Sequence, residues 1–280
     1  EAFSAWDLNW PSAGKSGVLY GGAWPRFFRI AAGSNEVILN DRPPGDRFYP
    51  QKLGVGGRYL WAAAGYDLVA FDENLKEVRR FSPQTNQIAF AASGRVVYYF
   101  GMTNGVPTLM RGDAATGEQV QVESWNAYAE QSLKRAYNQG QSPAGGVQAP
   151  GSPIWMAADG AGNVHMLYNR RTSPNKNGFD WGLTLWSYDP AKDEWKDQDL
   201  PKHYEVLPFS MSPCLFYDTR QQVLVTMMDG KWVALGSLPK RWFDYRGASF
   251  WRVHVTGKYL YACTPLGVWQ RPRTSERKGG

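Results

Sequence analysis

The chain holds three histidines, and their neighbours decide what chemistry each could do. His165 stands in "NVHML" and His254 in "RVHVT", apolar runs that read as strands and give the rings a packing role. His203 stands in "PKHYE", a loop, and is the one histidine placed to serve as an acid, a base or a ligand contact. Carboxylates come next. Glycoside hydrolysis needs two carboxyls about 5–10 Å apart, one of them raised in pKa. Asp67, Asp180 and Asp229 fall near expected strand connections and are the candidates for such a pair. Asp is also an ordinary turn residue, so the turn reading stands beside the catalytic one. Elimination at a uronate would instead use a Tyr or His base with cations that neutralise the acid. Tyr66, His203, Arg170, Arg171, Lys176 and Lys231 offer those types. Sugar binding without chemistry needs flat exposed aromatics, for which Tyr66, Tyr128, Trp181 and Tyr204 are the candidates. A protein contact surface draws on the same residues. No catalytic constellation emerges from these types.

Other chemistries fall away. "PSAGKSG" at 11–17 resembles a phosphate loop only in part: the pattern needs Gly five residues before Gly14, where Asn9 stands. The two cysteines, Cys214 and Cys263, lie in expected strands with no CxxC and no Cys/His cluster, so no zinc site is expected. They pair only if their strands come close. No cofactor is expected. "DGAGN" at 159–163 and "DPAKDEW" at 189–195 carry oxygens suited to calcium, although turns of this kind need no metal. The formal net charge is +6 and the pI about 9.2, but the basic clusters "NRRTSPNKN" and "RPRTSERKGG" are short, so no nucleic-acid partner is expected. Weak attraction to an acidic polysaccharide or anionic surface fits that charge. No run of apolar residues reaches membrane-spanning length, and no N-x-S/T acceptor is present. The chain starts at Glu1 rather than Met, from which an extracytoplasmic location is expected.

What positions these residues is a repeat. "GRYLWAAAGYDLVAFD" from Gly57 has a turn, an apolar strand, a break and a second strand. "GRVVYYFGMTNGVPTLMRGD" from Gly94, "GNVHMLYNRR" followed by "WGLTLWSYDP", "QQVLVTMMDGKWVALG" and "GKYLYACTPLGVWQRP" repeat it, and "SGVLYGGAWPRFFRIAAG" is a degenerate copy. Outer strands such as "EVRRFS" and "EQVQVES" follow several copies. Preceding strands such as "IAFAAS" (88–93), "IWMAAD" (154–159), "SPCLFYD" (212–218) and "SFWRVHV" (249–255) complete a four-stranded unit. Such periodicity predicts an all-β fold, a single β-propeller. Six blades share the 280 residues at roughly 47 each, with seven as the alternative. The N-terminal "EAFSAWDLNW" is expected to join the C-terminal blade and close the ring. Residues 1–272 then form one domain and 273–280 a basic tail.

Individual stretches resemble known propeller repeats. "IWMAADGAGNVHMLYN" is similar to an NHL-type repeat, in which Asp-x-x-Gly-Asn turns between the two inner strands. "GKYLYACTPLGVWQRP" and "GRYLWAAAGYDLVAFD" resemble repeats of bacterial extracytoplasmic sensors. "LWSYDPAKDEW" resembles a kelch repeat and "LMRGDAATGEQV" a PQQ-type repeat. The resemblances span most of 54–272 and imply the fold, not an activity.

Function is therefore sought in departures from the repeat. In a blade, the connection from the second to the third strand and the connection to the next blade lie on one face. Three long departures fall there: 125–152, 170–181 and 201–211. The first opens as a helix, with Trp125, Ala129, Leu133 and Ala136 at helical spacing and Glu130 four residues before Lys134, and is expected to pack on the ring through Trp125. Three readings follow. The first is an extracytoplasmic module binding a glycan or a protein through this face. The second is a secreted lyase or glycosidase using the same face. The third is a structural subunit that assembles with copies of itself.

Overall fold

Aromatic and β-branched residues in bursts of about five, cut by Gly and Asp, favour short strands joined by tight turns. The computed structural model describes residues 9–13, 19–23, 26–30, 37–39, 52–85, 88–138, 153, 155–159, 161–175, 178–201, 203–206, 215–228, 231–237, 252–255, 259–264 and 267–272. Among these residues there are six antiparallel sheets and one helix. The first sheet joins β1 (Asn9–Ala13), β2 (Leu19–Ala23), β3 (Arg26–Ile30) and β4 (Val37–Leu39). The second joins β5 (Lys52–Gly56), β6 (Tyr59–Ala64), β7 (Asp67–Phe71) and β8 (Glu77–Phe81). The third joins β9 (Phe90–Ser93), β10 (Val96–Thr103), β11 (Val106–Asp113) and β12 (Gln119–Gln121), and helix α1 (Glu123–Asn138) follows it. The fourth joins β13 (Trp155–Ala158), β14 (Val164–Asn175), β15 (Gly178–Asp189) and β16 (Glu194–Asp199). The fifth joins β17 (Tyr204–Val206), β18 (Leu215–Asp218), β19 (Val223–Met228) and β20 (Lys231–Ser237). The last has three described strands, β21 (Arg252–Val255), β22 (Tyr259–Thr264) and β23 (Gly267–Pro272).

Within every sheet the strands pair in chain order. The first strands also lie side by side: β13 against β9, β9 against β5, β5 against β1, and β1 against β21 of the last sheet. This is the arrangement of a β-propeller, with first strands innermost. It explains why inner strands such as β6 are apolar throughout rather than alternating. All six residues of β6 are buried. Leu60, Ala62 and Ala64 join Val69 and Phe71 in a cluster that reaches Tyr20 of the first sheet. The intervening Tyr59, Trp61 and Ala63 join Leu68 and Ala70 in a cluster with Phe90, Val97 and Tyr99 of the third sheet. Period-two alternation thus sends successive side chains into two different inter-sheet cores. The innermost strands approach so closely that a Cβ on Gly56 would stand 2.5 Å from the Gly94 carbonyl oxygen, so Gly56 admits no side chain without a shift of backbone.

Three expectations change. Asn9 and Trp10 do not extend the last sheet; they open β1, paired with β2. The rest of that N-terminal segment, 1–8, and the tail 273–280 lie outside the described residues. The stretch 170–181 is not a loop but the outer half of a hairpin, paired from Val164↔Tyr188 to Asn175↔Gly178. In the fifth sheet the first strand in order is β17, inside the stretch 201–211 expected as a loop, so Leu215–Asp218 is the second strand rather than the first. An extra backbone partner for β18 was available in "YEV", whose β-favouring residues carry no Gly or Asp marker.

Candidate functional site

The hairpin of β14 and β15 dominates the candidate site. Each strand is 12 residues long, whereas flanking β13 has 4 and β16 has 6. β13 pairs only with Val164–Leu167, and β16 only with Thr184–Asp189. Beyond those points the two strands pair only with each other among the described residues, as an arm about 20 Å long at the usual rise per residue. Arg171 stands opposite Trp181 and Arg170 opposite Gly182; a bulge at Thr172 then sets Ser173 opposite Asp180. The register therefore brings four expected site residues, Arg170, Arg171, Asp180 and Trp181, onto one short ribbon. Lys176, between the two strands in sequence, lies outside the described residues.

The equivalent connection in the second sheet is the two-residue turn Gly65–Tyr66, closed by Ala64↔Asp67. Gly65 has φ +58°, a left-handed conformation that glycine adopts without cost, and Tyr66 is 62 % exposed at the tip. Asp67 is engaged by two neighbours. Its carboxylate accepts a 2.6 Å hydrogen bond from Arg80 Nη1 and one of 3.2 Å from Ser82 Oγ, while the other edge of the Arg80 guanidinium grips Glu77 at 2.7 and 3.0 Å.

His203 and Tyr204 follow β16 after four residues, so they begin near the end of the sheet from which the arm projects. Their rings meet edge to face at 4.9 Å, and Tyr204 also packs on Trp232 and Phe216. Tyr204 is thus half-buried rather than an open platform; burial, and then the negative charge of Asp218, push its hydroxyl above the usual range. His203 Nε2 lies 3.8 Å from Asp218 Oδ2, and the His203 carbonyl accepts bonds from the Thr219 amide and hydroxyl. This ties β17 to the following turn. Asp229 lies outside the described residues, and Lys231 opens β20 opposite Met228. Counted from β17, that hairpin is the third connection of its sheet rather than the second.

Tyr128 reverses its expectation. It is 8 % exposed, stacks on Trp195 at 5.1 Å and donates a 2.8 Å hydrogen bond to Asp197. Trp125 is buried against Phe100, Tyr168, Trp186 and Trp195, with ring centres 5.0–6.1 Å away. Ser124 completes the clamp, receiving the Trp195 indole N–H at 2.9 Å and donating to Asp193 at 2.6 Å. The first turns of α1 therefore fill the wedge between the third and fourth sheets, where β12 is only three residues long. Trp125 is the anchor that its helical spacing suggested, but it seats the helix on the flank of the fourth sheet.

A further polar cluster escaped the sequence reading. In β14, His165 Nδ1 lies 2.8 Å from Ser187 Oγ, and Nε2 lies 3.3 Å from Asp159 Oδ2. A carboxylate only accepts, so Nε2 carries a proton. The order Ser, His, Asp matches a hydrolase relay, but His165 is 2 % exposed and no substrate reaches it. Asp159 serves its turn instead: Oδ1 accepts the amides of Ala161 and Asn163, and Oδ2 accepts the Asn163 side chain. Burial alone would raise this carboxyl; hydrogen bonds from His165 and Asn163 outweigh it and lower the pKa to about 2. Among the described residues no group of three or more His, Cys, Asp or Glu side chains is gathered for a metal ion, and no helix is long and apolar enough to cross a membrane.

No family model matches the chain, and no curated protein sequence is significantly similar to it. Solved structures do resemble it in shape. A chain of the mitotic checkpoint complex superposes with a TM-score of 0.53 at 10 % identity, covering 98 % of this chain and 92 % of that one. YCF48 bound to D1 peptide gives 0.47 at 11 % identity, covering 98 % and 79 %. A protein described as TolB from Agrobacterium tumefaciens gives 0.46 at 9 % identity, covering 94 % and 79 %. The likeness to the checkpoint-complex chain concerns the fold, and with the order and contacts of the sheets it makes the chain a β-propeller protein.

Proposed function

We propose that the chain is a binding module, a six-bladed ring closed where β1 meets β21, that recognises a protein partner through the face carrying the arm. The arm carries this reading. A two-stranded ribbon that leaves its sheet contributes little to the core, and the outer edge of β15 there pairs with no further strand among the described residues. Tyr66 is exposed on an equivalent second-to-third connection. In a ring that repeats one blade topology, both point to the same side. Glycan recognition ranks behind protein recognition because two of its four aromatic candidates, Tyr128 and Tyr204, are committed to packing. An extracytoplasmic setting fits the chain's basic surface and its resemblance to sensor repeats.

The test is photo-crosslinking in the source cell, with a crosslinking phenylalanine derivative at Tyr66 or, on the opposite face, at Ala161 in the β13–β14 turn. A discrete protein adduct from Tyr66 alone is the expected outcome. Adducts from Ala161 alone, or glycan-array binding with no protein adduct, would sink the protein reading.

A further inference from the structure

We infer that the edge of β15 in the arm, Gly178–Leu183, which pairs with no strand but β14 among the described residues, takes an extended acidic segment of the partner as an added antiparallel strand. This inference rests on the partner-binding reading and specifies its chemistry. The two edges of the arm differ. The edge of β14 carries Arg170 and Arg171, a bulge at Thr172, and Pro174, which has no N–H to give. Charge, bulge and proline are the devices by which edge strands refuse a partner. The edge of β15 reads "GFDWGL" and has fewer of them: no proline, no bulge, no Lys or Arg, and one charge, the carboxylate of Asp180. Beyond Thr184 it has no neighbour in β16 among the described residues. Its peptide groups form a row suited to main-chain pairing, the commonest way an extended peptide joins a sheet.

Charge selects the occupant. A strand added to β15 lies two strand spacings, about 9.5 Å, from β14. An acidic residue placed opposite Trp181 falls in the same cross-strand row as Arg171, and an uncharged one opposite Asp180 avoids repulsion. A second copy of this chain is a poor occupant, because its β15 edge offers Asp180 as its one carboxylate and each copy carries a net charge of +6.

The probe is a short fluorescent peptide alternating Glu and Val, with two controls: the same peptide N-methylated at alternate amides, and its Lys-Val counterpart. Anisotropy with the full chain at low salt is expected to show saturable binding of the Glu-Val peptide. N-methylation should weaken it at least about tenfold, as expected for one or two lost hydrogen bonds. The Lys-Val peptide should not bind, and Arg170→Glu/Arg171→Glu should exchange the two preferences. Equal binding of the methylated peptide would reduce the site to charge attraction and overturn strand addition. Failure of the Glu-Val peptide to bind while Tyr66 still crosslinks a protein would overturn this inference alone; loss of both would overturn the binding module as well. Self-association abolished by the same double substitution would make a second copy the occupant and refute the acidic partner.

Discussion

Asp159 shows how a turn residue acquires energetic weight. Its carboxyl, with an ordinary value of 3.8, titrates near 2 in the folded chain. A lowered carboxylate stabilises the fold above its unfolded pKa and stops doing so as pH falls through the folded one. The contribution, about 2 kcal/mol when complete, is therefore present at neutral pH and is lost between about pH 4 and pH 2. Asp159→Asn should lower stability at pH 7, and urea melts of variant and parent should converge as pH falls through that window. A constant gap would show that the turn, rather than the charge, is at work. At the helix anchor, Trp125→Ala should cost about 3–5 kcal/mol and Tyr128→Phe only about 0.5–1.5 kcal/mol, since the first empties a buried aromatic site and the second removes one hydrogen bond. Denaturant midpoints measure both. The helical spacing of Trp125 and Ala129 revealed the anchor. The burial of Tyr128 was hidden, because its cover comes from Trp186 and Trp195, more than fifty residues away.

Strands were legible wherever apolar bursts met Gly-led turns, and the inner strands of the second, third and fourth sheets fall where the repeat put them. The arm was not. Ser173, Pro174, Asn175, Lys176 and Asn177 form a cluster of loop formers, and a ribbon standing clear of the core has no apolar alternation to mark it. The same reasoning predicts the arm's energetics. Excising Arg170–Gly182 and joining Asn169 to Leu183 through Asn-Gly should move Tm by only about 2–4 °C, the equivalent of roughly 1 kcal/mol in a chain of this size. It should abolish the Tyr66-dependent crosslink if the partner spans both features. Calorimetry and the crosslink together separate a functional arm from a structural one: a large fall in Tm would mean that the ribbon supports the ring.

The second sheet is apolar on both faces because it lies between the first and the third, and in the proposed closed ring every sheet would meet that condition, which fails at any gap. β1 lies against both β5 and β21, so it is the piece on which closure depends. Removing residues 1–13 would strip the inner strand from the first sheet and expose the flank of the last, leaving two apolar faces uncovered and sheet edges open. Such a chain is expected to lose its single cooperative transition, bind hydrophobic dye at 25 °C and aggregate, whereas removal of 273–280 should leave the transition unchanged. Supplying the missing stretch in trans as a peptide provides the sharper measurement. A closed ring requires that the peptide restore the sharp melt and suppress dye binding at about stoichiometric concentration. If the shortened chain instead melts as the parent does, the sheets form an open stack that never relied on β1, and the six-blade ring is wrong.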